Sequence, residues 1–536
     1  MKKAYLVFFA VTLLFGLVGC VREQAQIVIV TATPAVASLE VGIVATPLSE
    51  LAPSALASSV PPVASGALFV PTLNPPVQGI NAVLPTSHTV KAGDTLFAIA
   101  QTYNVSLNAL IEANNLTNPN LLEVGQVLNL PSAPTLTTPS FKILPDSRLV
   151  RAPNVTQFDL VGFVSAQSGY IRQATDVVTT RLGNGAGFDE LLTSAQVIAR
   201  VSLEYSVDPR LLLAVLEFRA GWLSNPTPRE DLLLYPIVPM SEGIERRGLY
   251  RQLAYVANEL NRAYYGWKGR GLRTITLADG TRFALNPQLN PATLAIQYFL
   301  SLSKTTNSTV WASEVSERGL YATYLRLFGD PFLGAIEPLV PSTLQQPILG
   351  LPFAQGETWY YTGGPHGGWG SGSAWASLDF APPDERPANS SFCYVSQTPV
   401  RALAAGMIAR VEGGAIVLDL DMDGDESTGW TIVYLHVDTT LKAGTRVNFA
   451  DPIGFASCAG GFSTATHLHI GRRFNGEWLP ADCGECLPEY RTPDFVMGGW
   501  RAVGIRGQEY QGYLEREGIR QQAEQGRQTT VNHVSW

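Results

Sequence analysis

Charged side chains are scarce in this 536-residue chain, at 15%, and no basic stripe offsets the formal net charge of −8. A nucleic-acid partner needs clustered lysine and arginine against its phosphates, so that class of function is excluded. Cysteine is rare as well, with five residues. The Cys483-Gly-Glu-Cys486 spacing could be half of a zinc site, but the sequence offers no matching second half. Apolar runs of membrane-spanning length are missing, since the stretch Ala4–Val18 is too short for a comfortable span. Histidine occupies only six positions. What is present is 46% hydrophobic content, enough to bury several cores, with 36 prolines and 49 glycines that imply much loop and linker.

Lys2 and Lys3 ahead of the apolar stretch have the layout of an export signal, so residues 1–20 are kept apart from fold reasoning. The stretch ends in Leu17-Val18-Gly19-Cys20, which resembles a bacterial lipobox. That resemblance implies acylation of Cys20, a membrane partner through the lipid anchor, and a place in the cell envelope outside the cytoplasm. Export puts Cys393, Cys458, Cys483 and Cys486 in a disulfide-permissive compartment. Of the three pairings that four cysteines allow, Cys393–Cys458 with Cys483–Cys486 is the one expected. Residues 21–87 are rich in Ala, Pro, Val, Ser and Thr. Pro61-Pro62 and Pro75-Pro76 block helices and central strands, which reads as an extended tether.

A compact unit is expected at 88–132. His88 opens a short strand, Gly93 turns the chain, and Asp94 caps a helix whose Leu96, Ile99, Ala100 and Tyr103 share one face. Ser106 can cap a second helix with Leu107, Leu110 and Ile111, and Gly125–Pro131 closes with a strand. This β-α-α-β pattern, with Gly93-Asp94-Thr95-Leu96 near its start, resembles a LysM domain. The resemblance implies a shallow groove for N-acetylglucosamine-containing glycans. It would be formed by the loops at Asp94, Thr95, Leu96, Asn118 and Pro119.

Residues 141–345 read as helices at 191–205, 209–218 and 249–265, with a hairpin at 275–283 whose Asp279-Gly280 suits a two-residue turn. The segment Tyr205–Trp222 resembles the opening of the lysozyme-like lytic transglycosylases. In that family a glutamate stands where this chain has Arg219, and Glu217 lies two residues away, turned by roughly 200° on a helix. An all-α lysozyme-like domain without glycan-cleaving chemistry is therefore expected.

From 346 to 500 the texture changes to short glycine-rich strands, and four of the six histidines fall here: His366, His436, His467 and His469. In His467-Leu-His469 the two imidazoles share one face of a strand. A hydrolytic zinc site needs about three protein ligands and an open position, which two histidines and Asp379 can supply. Leu378-Asp379-Phe380-Ala381-Pro382, Tyr434-Leu435-His436 and Ser463-Thr464 ahead of His467-Leu468-His469 make this region resemble the M23, lysostaphin-like metallopeptidases. The resemblance implies a mainly antiparallel β fold in which His366, Asp379 and His469 bind zinc. His436 and His467 would flank the reacting water and carbonyl, and the substrate would be the peptide part of peptidoglycan. A glycine-rich insertion between His366 and Asp379 departs from the family pattern. The rival expectation is a degenerate, non-catalytic wall-binding protein or amidase activator. Asp419, Asp421, Asp423 and Asp425 alternate around a turn glycine and resemble a calcium loop, without the glutamate that would close an EF-hand. Residues 501–536 read as a polar tail. Neither His88 nor His533 is a ligand candidate.

Overall fold

The computed structural model describes residues 87–536, apart from 92, 104, 106, 117, 119–120, 132–135, 389 and 528–529. Cys20, the export signal, the tether up to residue 86, Ser106 and Pro119 lie outside the described residues. No described helix is long and apolar enough to cross a membrane.

The first module pairs β1 (Ser87–Thr89) antiparallel with β2 (Val127–Asn129) and places α1 (Leu96–Thr102) and α2 (Leu107–Ala113) against them. Its small core joins Leu96, Ile99, Leu110 and Leu128. Tyr103 sits at the core's edge, its hydroxyl 2.9 Å from His88 Nδ1.

The middle region is mostly helical but not all-α. A long hairpin of β3 (Thr175–Arg181) and β4 (Gly187–Thr193) precedes α3 (Ser194–Tyr205), α4 (Pro209–Ala220) and α5 (Leu249–Tyr265). The apolar pattern from Leu191 suggested a helix, but Leu191 and Leu192 belong to the strand. Thr193 and Gln196 form a capping box that starts α3 only at Ser194. A second small sheet joins Thr274–Thr276 with Arg282–Ala284 and, in parallel, Leu136–Thr137. In that hairpin Leu277 pairs with Thr281, so the turn holds three residues rather than two. Gly280 supplies the left-handed conformation with φ 84°.

The C-terminal region is built on a large antiparallel sheet. Its strands are β5 (Thr358–His366), β6 (Ser377–Ala381), β7 (Gly406–Glu412), β8 (Ala415–Asp419), β9 (Trp430–Leu435), β10 (Arg446–Val447) and β11 (Leu468–Phe474). They run in the order β10-β7-β8-β9-β11-β6-β5. The short β12 (Glu477–Trp478) turns back along β11. Both faces are covered. Ile416, Leu418, Ile432 and Tyr434 pack into one core, while Val417 and Val433 on the opposite face join the core of the helices. The alternating residues of β8 are therefore all buried, and the strand reads as a continuous apolar run.

The polar tail expected at 501–536 is instead structured. β13 (Val496–Met497), β14 (Trp500–Ile505), β15 (Gln508–Arg516) and β16 (Ile519–Gln522) form a four-stranded sheet, and β17 (His533–Ser535) pairs with β5. Backbone pairing and the burial of Ala502, Leu514 and Val534 outweigh the polar composition. The structure joins Cys393 to Cys458 and Cys483 to Cys486.

Candidate metal centre

Strand register builds the centre. His469 on β11 lies directly opposite Asp379 on β6, and Asp379 in turn lies opposite Gly363 on β5. A Cβ at Gly363 would come within 2.6 Å of the Asp379 carboxylate, so only glycine leaves that carboxylate room. Two register shifts in β5 carry the chain forward to His366, which pairs with Ser377. The glycine-rich insertion is thus the loop of a hairpin whose two strands bring His366 and Asp379 together. Asn258 on α5 accepts from the backbone N–H of Gly372 at 2.9 Å, and Arg262 donates to Ser371 at 2.8 Å, which pins this loop to the helical region.

The three candidate ligands converge. Asp379 Oδ1 lies 3.2 Å from both His366 Nε2 and His469 Nδ1, and these two nitrogens are 2.9 Å apart. The outer ring nitrogens settle the tautomers. His366 Nδ1 lies 2.8 Å from the Gly364 carbonyl and His469 Nε2 lies 3.0 Å from that of Gly368. A carbonyl can only accept, so both outer nitrogens carry hydrogen and the inner nitrogens face each other with lone pairs. Asp379 Oδ1 is buried and has no hydrogen-bond partner. Two lone pairs and an orphaned carboxylate oxygen around one point fit a cation, and the two-nitrogen, one-oxygen donor set suits zinc.

His436 and His467 flank this cluster, with ring centroids 4.5 Å apart. Each donates its Nδ1 hydrogen to a carbonyl, His436 to Ala459 at 2.8 Å and His467 to Ala465 at 2.8 Å. Their Nε2 atoms are left as proton acceptors. His467 Nε2 is 3.7 Å from Asp379 Oδ1. Burial, reinforced by His467 and His469, holds the His436 pKa well below the ordinary histidine range, so the ring is neutral at pH 7. Burial likewise lowers that of His469. At His366 burial acts in the same direction, but the Asp379 carboxylate outweighs it and the pKa rises. Asp379 is buried too, yet His366 and His467 hold its pKa well below the carboxylate range. His436 sits at φ 64°, a backbone conformation rare for non-glycine residues and typical of functional positions.

Two neighbours come from the segment read as a tail. The Tyr510 ring stacks on His366 at 4.3 Å between centroids, and Glu509 accepts from the backbone N–H of Gly367 at 3.1 Å. Burial, with the nearby Glu509 and Asp379 charges, pushes the Tyr510 phenol up to about 12, so it remains a hydrogen-bond donor at neutral pH. The available signal was two glycine turns, Arg506-Gly507 and Glu517-Gly518, bracketing Gln508–Arg516. Glu517 and Gly518 both take positive φ, as a two-residue hairpin turn requires.

Other expected sites fare differently. Asp419, Asp421 and Asp423 bring carboxylate oxygens within 4.8 Å of one another. Asp425 turns away to Ser427 and to the Thr156 hydroxyl at 2.8 Å. In the first module Asp94 is held by His88 at 2.7 Å and by the Lys91 N–H, the Thr95 hydroxyl accepts from the Ala98 N–H, and Leu96 is buried. Asn118 is exposed. Glu217 caps the turn after α4, accepting from the N–H groups of Leu223 and Ser224, the Ser224 hydroxyl and Arg326. That carboxylate is consumed by structure.

The fold and the cluster define a multidomain protein with a candidate metal centre of two histidines and an aspartate on an antiparallel sheet. Family comparisons add that residues 88–131 match the LysM domain and residues 142–341 match the LasA N-terminal domain, so the chain joins a LysM domain to a LasA-like one. The middle region, expected to be lysozyme-like, thus matches a different family. Protease LasA of Pseudomonas aeruginosa is 27% identical over 298 residues, covering 51% of this chain and 65% of that protein. The chain therefore spans just under two thirds of that relative's length. N-acetylmuramoyl-L-alanine amidase XlyA of Bacillus subtilis is 40% identical over 68 residues, covering 13% of this chain and 23% of that protein. Among solved structures, the M23 metalloprotease Pseudoalterin is 25% identical and overlaps 33% of this chain and 96% of its own, with a TM-score of 0.26.

Proposed function

We propose that this chain is a zinc-dependent endopeptidase of the M23 kind that hydrolyses peptide bonds in peptidoglycan. In this reading the LysM module holds the glycan and an acylated Cys20 tethers the protein to the membrane surface of the cell envelope. The observation that carries it is the meeting of His366 Nε2, His469 Nδ1 and Asp379 Oδ1 around one point, with the imidazoles of His436 and His467 alongside. Similarity to a protein named a protease supports the same reading.

His366, Asp379 and His469 would hold the metal, which when bound supplies a Lewis acid that acidifies water and polarises a carbonyl. The remaining work falls to this chain's own groups. His436 or His467 accepts the proton of the attacking water at Nε2 and, once protonated there, returns that same proton to the leaving amine, while the other imidazole, an acceptor at Nε2, helps to orient the water. The carbonyls of Ala459 and Ala465 hold both rings in the productive tautomer. Burial keeps His436 neutral and ready to accept.

The test is zinc stoichiometry of the purified protein together with mass spectrometry of peptidoglycan digested by it. One zinc per chain and new peptide termini are expected. A protein that takes up no zinc and releases no fragments supports the non-catalytic rival. Calcium at Asp419, Asp421 and Asp423 belongs to the same reading, because a divalent ion would relieve three carboxylates held this close. Added calcium is expected to raise the melting temperature of the wild type but not of Asp421→Asn, checked by calorimetry with and without chelator. An equal shift in both removes calcium from the reading.

A further inference from the structure

A cavity of about 450 Å³ lies between the helical region and the sheet, away from the five residues of the metal centre. Its walls include Tyr265, Lys268, Trp375, Trp478, Tyr490 and Arg506. Pro365, the residue before His366, forms part of one side. Arg506, also in the wall, lies 5.8 Å from the ring of Phe97 on α1. The cavity thus adjoins the strand that bears a candidate zinc ligand, and one of its wall residues also reaches the LysM module.

The chemistry of the lining narrows the ligand. Its charged groups are matched within the protein: Lys268 by Glu477, Arg506 by Glu485, and Asp482 by the N–H groups of Gly484 and Gly504. A phosphate or an ionised peptide terminus would enter without a counter-charge, at a cost that disfavours both. Trp375 and Tyr490, both partly exposed, supply flat apolar surface suited to the C–H face of a sugar ring.

We propose that this cavity is a second carbohydrate subsite, taking a neutral N-acetylhexosamine unit of the glycan strand that the LysM module holds. The proposal rests on the reading that the chain acts on peptidoglycan. It gives the helical region a role, because Tyr265 and Lys268 complete a site that the sheet region lacks alone.

Gly269 offers a selective test. A Cβ there meets only ordinary contacts, 3.7 Å from the Glu485 carbonyl and 3.8 Å from Cys486 Cα, and both of those residues line the cavity. Gly269→Leu should therefore fill the cavity without disturbing the fold, with an unchanged melting temperature as the check. Triacetylchitotriose is titrated calorimetrically into the full chain. Wild type is expected to show two sites, and Gly269→Leu to keep the LysM site while weakening the other by at least about tenfold. Trp375→Ala should weaken the same site. A single site in wild type, or two unchanged sites in both variants, overturns the proposal. Zinc content and cleavage of a soluble stem peptide are measured on the same samples. Loss of those alone defeats the peptidase reading and leaves the cavity standing.

Discussion

Replacing His469 by alanine is expected to empty the metal centre and to lower kcat/KM for peptide cleavage by at least about 1,000-fold. His469 is the hub of the cluster. Its Nδ1 lies 2.9 Å from His366 Nε2 and 3.2 Å from Asp379 Oδ1, and its Nε2 is anchored on the Gly368 carbonyl. Removing it leaves one imidazole and one carboxylate, too few donors to retain zinc. His467→Ala should behave differently. It keeps all three candidate ligands and removes only a proton acceptor, so zinc stays bound while the rate falls by about 100- to 10,000-fold. Metal analysis and initial rates on the same preparations separate the two effects. If His469→Ala kept one zinc per chain and rates within about tenfold of wild type, the ligand assignment would be wrong.

That split arises from a site only partly written in local sequence. His467-Leu-His469 was legible because strand geometry puts i and i+2 on one face. Asp379 was legible in its Leu378–Pro382 setting. What joins them was not, since the pairing of His469 with Asp379 and of Asp379 with Gly363 is set by sheet order, which no local pattern states. The insertion after His366 looked like a disturbance. In the fold it is a hairpin loop whose Gly368 carbonyl fixes the tautomer of His469, held in place by Asn258 from another region. Tyr510 and Glu509 were hidden because polar composition masked two turn-bracketed strands. The middle region shows the converse: helical periodicity marks α4 and α5 correctly, but a β-hairpin with exposed Phe188 and Leu191 gave no clean alternation to reveal it. Nor could periodicity show that these helices cover one face of the sheet and share its core.

The largest stability effect is expected at Glu426, which lies outside the metal centre. Its carboxylate accepts from Arg410 at 2.8 Å and from Arg473 at 2.6 Å, and joins β7, the acidic loop and β11. Arg473 is 1% exposed, two strand positions beyond Gly471 on the strand that carries His469. Glu426→Ala leaves two guanidinium groups without their counter-charge, one of them fully buried, and should cost about 3–5 kcal/mol. The same triad sets a pH dependence. Burial alone would raise the Glu426 pKa, but the two arginines outweigh it and hold the carboxylate well below its ordinary range. A carboxylate depressed in the folded state contributes stability that is fully present above its unfolded pKa of about 4.3 and is lost as pH falls below it. Wild-type melting temperature should therefore drop steeply from about pH 5 downward. Glu426→Gln, destabilised at neutral pH, should show a shallower acid slope because one of the titrating groups is gone. Calorimetry across that window reads both quantities, and an acid slope in Glu426→Gln as steep as in wild type would show that other carboxylates govern the transition.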